Sequence, residues 1–458
     1  MLTLNLDNID VARLGPDQGL RWKDELRAHA EQLERAAAEL ESRRSDPQSF
    51  LGWMDVISDS QLTASVKELA GRVSPAIDDL VVLGIGGSSL GGLTVVTALQ
   101  HPYHQLLRSR PAPRVHFVDN VDGDVLLGLM EVLDPARTAI NVISKSGTTT
   151  ETMSAYLLFK DWLSRALGDA YRSHVVATTD PVHGILRPLS SKEGFATLPV
   201  PANIGGRYSV LCPVGLFPAA VAGVDIDALL AGAREAQASF GAKAAENPVL
   251  QAALVHLLYA KRGKNICVFM PYSTRLRYLS DWFAQLWAES LGKEVDRLGS
   301  VVHSGTTPVK ALGTTDQHSQ VQLYREGPLD KLTVFVRVEK EGRPAPIPNA
   351  EPDQPDMNYL AGRRMQELMN AELAATAHAL AEARRPSYTM HLPAIDARAL
   401  GYILQFLMLQ TAVVGEVLGI DTFNQPGVEL GKVLTYALMG RPGYETQLAE
   451  LRQAGVKP

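Results

Sequence analysis

Short apolar runs ending in small polar turns recur along this chain, and each is followed by a segment with apolar residues at helical spacing. The strand-like runs are Leu80–Leu83, Val115–Val118, Ala139–Ile143 and His174–Thr178, with helical patterns between them, as over Glu151–Leu167. Alternating β and α elements predict a parallel sheet covered by helices on both faces. The pattern restarts near residue 264. Asn265–Met270 reads as a strand and Tyr278–Leu291 as a helix, with Ser300–His303 and Leu332–Val338 strand-like after it. Two successive α/β units are therefore expected, meeting between about 215 and 250 without a close sequence repeat. Before them, Lys23–Arg44 has the composition of an exposed amphipathic helix. Glu341–Pro355 is too proline-rich for a helix or central strand and reads as a surface loop. Met357–Arg384 and Ala399–Leu418 are long helical patterns. The expected division is an N-terminal helical segment over 1–60, a first unit over 61–230 and a second over 231–458.

Two strand ends carry turns suited to an anion. The first runs Gly84-Ile85-Gly86-Gly87-Ser88-Ser89-Leu90-Gly91-Gly92. Its glycines admit close backbone approach, and the helix start behind it offers unpaired N–H groups. A dinucleotide fingerprint would need glycine where Ser89 stands, although Asp119 at the next strand end resembles a ribose ligand. The second turn runs from Ser144 to Thr152 and clusters hydroxyls beside Lys145 at a helix start. Helix capping needs one hydroxyl; this many suit a phosphate monoester.

Candidate chemistry lies further along. Gln285 and Glu289, four apart, share a helix face among Trp282, Phe283, Leu286 and Trp287. A carboxylate in apolar company can serve as a base near neutrality, but a solvated surface glutamate fits the same pattern. Asn203-Ile204-Gly205-Gly206-Arg207-Tyr208-Ser209 sets an arginine behind two glycines. Gly313–Gln320 is a polar turn holding His318, and Phe423–Lys432 places Lys432 at a helix start after a turn holding Gln425. Taken singly, the histidine reads more often as structural than catalytic, and the lysine as solvated by default.

Composition narrows the function classes. A formal net charge of −6 argues against broad nucleic-acid binding. No run of 18 consecutive apolar residues suggests a membrane span, and the N-terminus lacks the basic flank and apolar stretch of a secretory leader. The two cysteines, Cys212 and Cys267, follow no metal or disulfide spacing and read as core thiols of a cytoplasmic protein.

In order and content, the motifs from about residue 80 to 435 resemble the phosphoglucose isomerase family. Gly205-Gly206-Arg207-Tyr208-Ser209 and Phe423-Asn424-Gln425-Pro426-Gly427-Val428-Glu429-Leu430-Gly431-Lys432 are similar to its two diagnostic stretches. The resemblance implies an α/β fold of two sugar isomerase (SIS) domains, each a three-layer sandwich with a parallel sheet, plus N- and C-terminal helices. It implies reversible isomerisation of glucose 6-phosphate and fructose 6-phosphate, with no cofactor and no metal. By motif, Glu289 corresponds to the base, His318 to the ring-opening residue, Lys432 to its partner at the ring oxygen and Arg207 to the stabilising cation. Ser144, Lys145 through its backbone, Ser146, Thr148 and Thr149 correspond to the phosphate cradle. Gly87, Ser88, Gln285 and Gln425 correspond to further substrate contacts. The family's histidine comes from the neighbouring subunit, so a homodimer with a shared site is implied. Ser146-Gly147 and Pro426 depart from bulkier residues common in the long eukaryotic form. Rival readings are another ketose–aldose isomerase, acting on amino sugars or mannose 6-phosphate, and a sugar-phosphate-binding regulator without the chemistry.

Overall fold

Two parallel sheets organise the chain, and the computed structural model describes residues 2–457. Strand β1 is Thr3–Asn5; then come β2 (Asp79–Leu83), β3 (Arg114–Val118), β4 (Thr138–Ile143), β5 (Val175–Thr179) and β6 (Ala196–Pro199). After β7 (Ile266–Pro271), β8 (Lys293–Val295) pairs antiparallel with β9 (Val301–Ser304). The chain continues through β10 (Thr307–Lys310), β11 (Lys331–Val338) and β12 (Ser387–Leu392). The first sheet has the order β3-β2-β4-β5-β6, all parallel. The second has the order β1-β12-β11-β7-β10, parallel except for β1 at its edge. Every residue of β2 and β4 is buried, as a strand covered on both faces requires.

Counted from its own first strand, each sheet begins 2-1-3-4. The strand order reverses between β2 and β4 in the first sheet and between β7 and β11 in the second. A doubly wound sheet opens a ligand crevice at such a point, beyond the carboxyl ends of the strands. Leu83 lies opposite Val142 in the register, so the turns after β2 and β4 emerge side by side.

The helix Ala397–Val417 packs against Ile226–Ser239, Pro248–Lys261, Arg277–Leu291 and Trp22–Ser42. Contact with Ile226–Ser239 is close because glycines meet backbone. A Cβ on Gly232 would lie 1.7 Å from the Arg398 carbonyl oxygen, and one on Gly401 1.8 Å from that of Leu229. By length and composition this helix is apolar enough to cross a membrane, with mean hydropathy 1.4, yet 89% of its apolar window is buried in the fold. Unbroken apolar runs do not reveal it, because Gln405 and Gln410 interrupt the stretch; both are buried.

Several expectations change. Ser300–His303 belongs to the two-stranded hairpin and not to a parallel sheet. The Met357–Arg384 pattern is two helices, Pro355–Asn358 and Met365–Glu382, separated where Gly362 takes a φ of 77°. The N-terminal segment is not only helical, since β1 completes the second sheet. Strands β6, β10 and β12 escaped the sequence pattern; β6 and β10 are short sheet edges with little periodicity to read.

Candidate active site

Four separate segments converge where the first crevice meets the end of the helix Arg277–Leu291. Gly86, at a φ of 57°, faces Gln285: a Cβ there would lie 2.9 Å from Nε2. Gly87 is pressed against the Gly205–Ser209 turn, where an added Cβ would come within 2.2 Å of the Gly206 carbonyl carbon and oxygen. Only glycine lets the two loops touch. Ser209 Oγ donates to the Gly206 oxygen at 2.6 Å and lies 3.3 Å from that of Gly87. Ser88 follows in the same turn, half-buried.

Arg207 is 3% exposed and ties this junction together. Its Nε donates to Ser290 Oγ at 2.8 Å, and Nη2 to the carbonyls of Thr422 and Asn424 at 2.6 and 3.1 Å. Its Nη1 donates to Gln425 Oε1 at 2.9 Å and to Glu289 Oε2 at 3.2 Å. The other Glu289 oxygen accepts from Gln285 Nε2 at 3.0 Å. Glu289 is one-third exposed, opening the carboxylate to an incoming molecule.

The apolar neighbours anticipated for Glu289 are elsewhere. Trp282, Phe283, Leu286 and Trp287 turn into the core, with Trp287 against His256 and Phe283. A guanidinium and a carboxamide, not indoles, set the environment of the carboxylate.

The hydroxyl turn after β4 is self-bonded. Ser144 Oγ accepts from the Gly147 N–H at 3.0 Å and meets Thr149 Oγ1 at 3.2 Å. Ser146 Oγ accepts from the Thr148 N–H at 3.2 Å and meets Thr148 Oγ1 at 2.9 Å. Gly147 has a φ of 68°, and a Cβ there would strike the Leu186 nitrogen at 2.5 Å, so this turn has no room for a bulkier residue. The Lys145 side chain turns away from the hydroxyls. It donates to the carbonyls of Ala202 and Ile204 at 2.6 and 3.2 Å, anchoring the segment that carries Arg207. Burial pushes its pKa below the ordinary lysine value.

Two residues the sequence did not single out belong here. The Thr152 hydroxyl is buried at this turn without a hydrogen-bond partner among the described residues; its place in the Ser144–Thr152 cluster was the available signal. Lys293, buried four residues after Glu289, donates to the Glu289 carbonyl at 2.5 Å and to that of Asn424 at 3.0 Å. Burial, with the nearby Arg207 charge, pushes its pKa down to about 8. Nothing around this isolated lysine along the chain signalled it.

Lys432 is exposed and pairs with Glu429 at 2.7 Å. One helical turn on, Tyr436 donates its hydroxyl to the Thr148 carbonyl at 3.3 Å, so the helix Glu429–Leu438 lies over the hydroxyl turn of its own chain. His318 is not brought in. It ends an exposed turn after β10, without a side-chain hydrogen bond or ion pair among the described residues. The segment leading to it is fastened beside Ser280, whose Oγ donates to the Ala311 carbonyl at 3.2 Å. Ser280 and Glu289 stand on one helix, separated by about 13 Å along its axis.

Comparison with known proteins places the chain in a family. The family model described as phosphoglucose isomerase matches residues 54–453. The chain is 48% identical to a glucose-6-phosphate isomerase of Rubrobacter xylanophilus over 380 residues, 82% of this chain and 86% of that protein. It is 44% identical to one from Thermus thermophilus over 414 residues, 90% and 96% of the two. Among solved structures, a hypothetical protein from Thermus thermophilus superposes with a TM-score of 0.88 at 41% identity, covering 96% of this chain and 100% of that one. A glucose-6-phosphate isomerase from Chlamydia trachomatis shares the fold, with a TM-score of 0.76 at 24% identity over 93% of this chain and 89% of that one.

Proposed function

Since the chain belongs to the phosphoglucose isomerase family, we propose that it interconverts glucose 6-phosphate and fructose 6-phosphate with Glu289 as the proton-carrying base. The aldose–ketose isomerase activity follows from the family and from near full-length relatives of that name. The observation that carries the assignment of the base is the Glu289 carboxylate, part-open to solvent and held between Arg207 and Gln285.

In this reading the phosphate sits on Ser144, Ser146, Thr148 and Thr149 with the backbone at Lys145, and Thr152 offers a further hydroxyl. Binding the remote phosphate orients the sugar carbons against the base. Gly87, Ser88, Gln285 and Gln425 line the sugar. Ring opening moves a proton from the anomeric hydroxyl to the ring oxygen through His318, with Lys432 beside it. Glu289 then removes the C2 proton, giving a cis-enediol(ate), and returns it to C1. A general base supplies about 10²–10⁴-fold; the Arg207 guanidinium supplies charge stabilisation of the enediolate oxygen. Its guanidinium nitrogens already engage fixed acceptors, which holds the cation in place without substrate.

The separation of His318 from Glu289 within one chain supports a homodimer in which the partner delivers the histidine. Division at about residue 230 into two SIS units is part of the same proposal, as is a cytoplasmic location, supported by two buried unpaired thiols. A coupled assay for conversion of fructose 6-phosphate to glucose 6-phosphate tests the function. Retained binding of 6-phosphosugars without turnover would instead favour a regulator.

A further inference from the structure

The second sheet has its own crevice, at the β7–β11 reversal, and the catalytic residues do not occupy it. A cavity of about 620 Å³ opens there, lined by Ser273 and Arg275 after β7 and by Lys340 and Arg343 after β11, and closed by the 99–103 segment of the first unit. Arg275 is half-buried at the mouth of the helix Arg277–Leu291. Its Nε donates to the Ala98 carbonyl at 2.8 Å and its Nη2 lies 3.5 Å from that of Ile395, so all its partners are neutral. Among the described residues Arg343 reaches only His101, Nη1 to Nε2 at 3.1 Å. Among the described residues, no carboxylate lies within ion-pair distance of Arg275, Arg343 or Lys340. Glu341, the acid in the lining, is taken by Arg364 at 2.8 Å.

Cations gathered in a partly desolvated cavity repel one another unless an anion joins them. Burial and the Arg343 charge both push the Arg275 pKa down, in keeping with that arrangement. The two guanidiniums supply planar donor pairs that match phosphate oxygens. The helix behind Arg275 directs its N-terminal dipole to the same side. Leu99, Met365, Met369 and Ile395 give the cavity an apolar floor.

We propose that this second crevice binds a phosphate-bearing metabolite, at a site separate from the catalytic one. The topology is the same as that of the first crevice, but arginines replace the hydroxyl turn as the anion-holding groups. Arg275 sits in the turn just before the helix Arg277–Leu291, and Glu289 lies about 18 Å along the helix axis from its first residue.

Titration calorimetry with inorganic pyrophosphate on the full-length protein tests the proposal. Thr148→Glu puts a carboxylate into the hydroxyl turn and repels anions from the first crevice, leaving the second to be read alone. In that background one pyrophosphate per chain is expected, weakened at least about tenfold by Arg343→Gln and lost in Arg275→Gln/Arg343→Gln. Arg343 and Lys340 are exposed, so Arg343→Gln/Lys340→Gln gives a second reading should the Arg275 variant unfold. No binding to the Thr148→Glu protein, or binding of unchanged strength and stoichiometry in the Arg343→Gln/Lys340→Gln protein, overturns the site.

Discussion

Replacing Glu289 by glutamine separates chemistry from architecture. The side chain keeps its length and shape, and its oxygen can still accept from Arg207 Nη1, now 3.2 Å away. The new amide nitrogen would then face Gln285 Nε2, 3.0 Å from the present oxygen, two donors in conflict. Gln285 can relieve this by rotating its amide, since its own Oε1 is buried and has no partner. Arg207 loses an ionised neighbour but keeps Ser290, Gln425 and the Thr422 and Asn424 carbonyls. With the carboxylate one-third exposed, the lost ion pair costs about 1 kcal/mol or less. The phosphate turn is untouched. Glu289→Gln is therefore expected to unfold within about 1 kcal/mol of the parent and to bind sugar 6-phosphates with similar affinity. Its kcat should fall by about 10³-fold or more, the contribution of a positioned base. The coupled fructose 6-phosphate assay, run with urea unfolding and calorimetric binding, measures all three. A kcat above about one tenth of the parent's would refute the base assignment. Lost activity matched by lost binding would refute the separation of roles.

Shared sites predict complementation. Glu289→Gln and His318→Ala, each inactive alone, should regain about a quarter of parental activity when unfolded and refolded together, because half the dimers are mixed and half their sites intact. No recovery, with mixed dimers present, would place both groups in one chain. Lys293 releases its proton near pH 8 when folded but near 10.5 when unfolded. Across that window the unfolded chain binds more protons, so unfolding free energy should rise with pH, by about 2 kcal/mol between pH 8 and 10. Urea unfolding of Lys293→Met should lose this rise; an unchanged slope means another group titrates. Gly87→Ala forces a Cβ against Gly206, where 2.2 Å is available. It should destabilise by about 1–3 kcal/mol and lower kcat/KM; a neutral effect on both would mean that the two loops need not touch.

The Thr150–Leu167 helix, the parallel strands β2 to β5 and the hydroxyl turn between them were legible in the sequence. A fully buried strand and an amphipathic helix impose different periods on apolar residues, and a turn that holds an anion must concentrate glycine and hydroxyls. Those signals are local, so one chain length of pattern suffices. The edge strands β1 and β10 were not legible, because both are short and gain their hydrogen bonds only from a neighbour distant in sequence. The surroundings of Glu289 were misread for a related reason. Helical spacing placed aromatic residues near it along the chain, but the packing turned them into the core and brought Arg207 and Gln425 from remote segments instead. Lys293 had no pattern at all. Its burial, its two carbonyl partners and its lowered pKa come from folding the Asn424 loop onto the end of the helix. Propensity and periodicity act over a few residues, so the α/β units, their turns and the candidate groups could be read from the chain alone. Tertiary structure alone decided which of those groups meet, since contact between them depends on how remote segments pack.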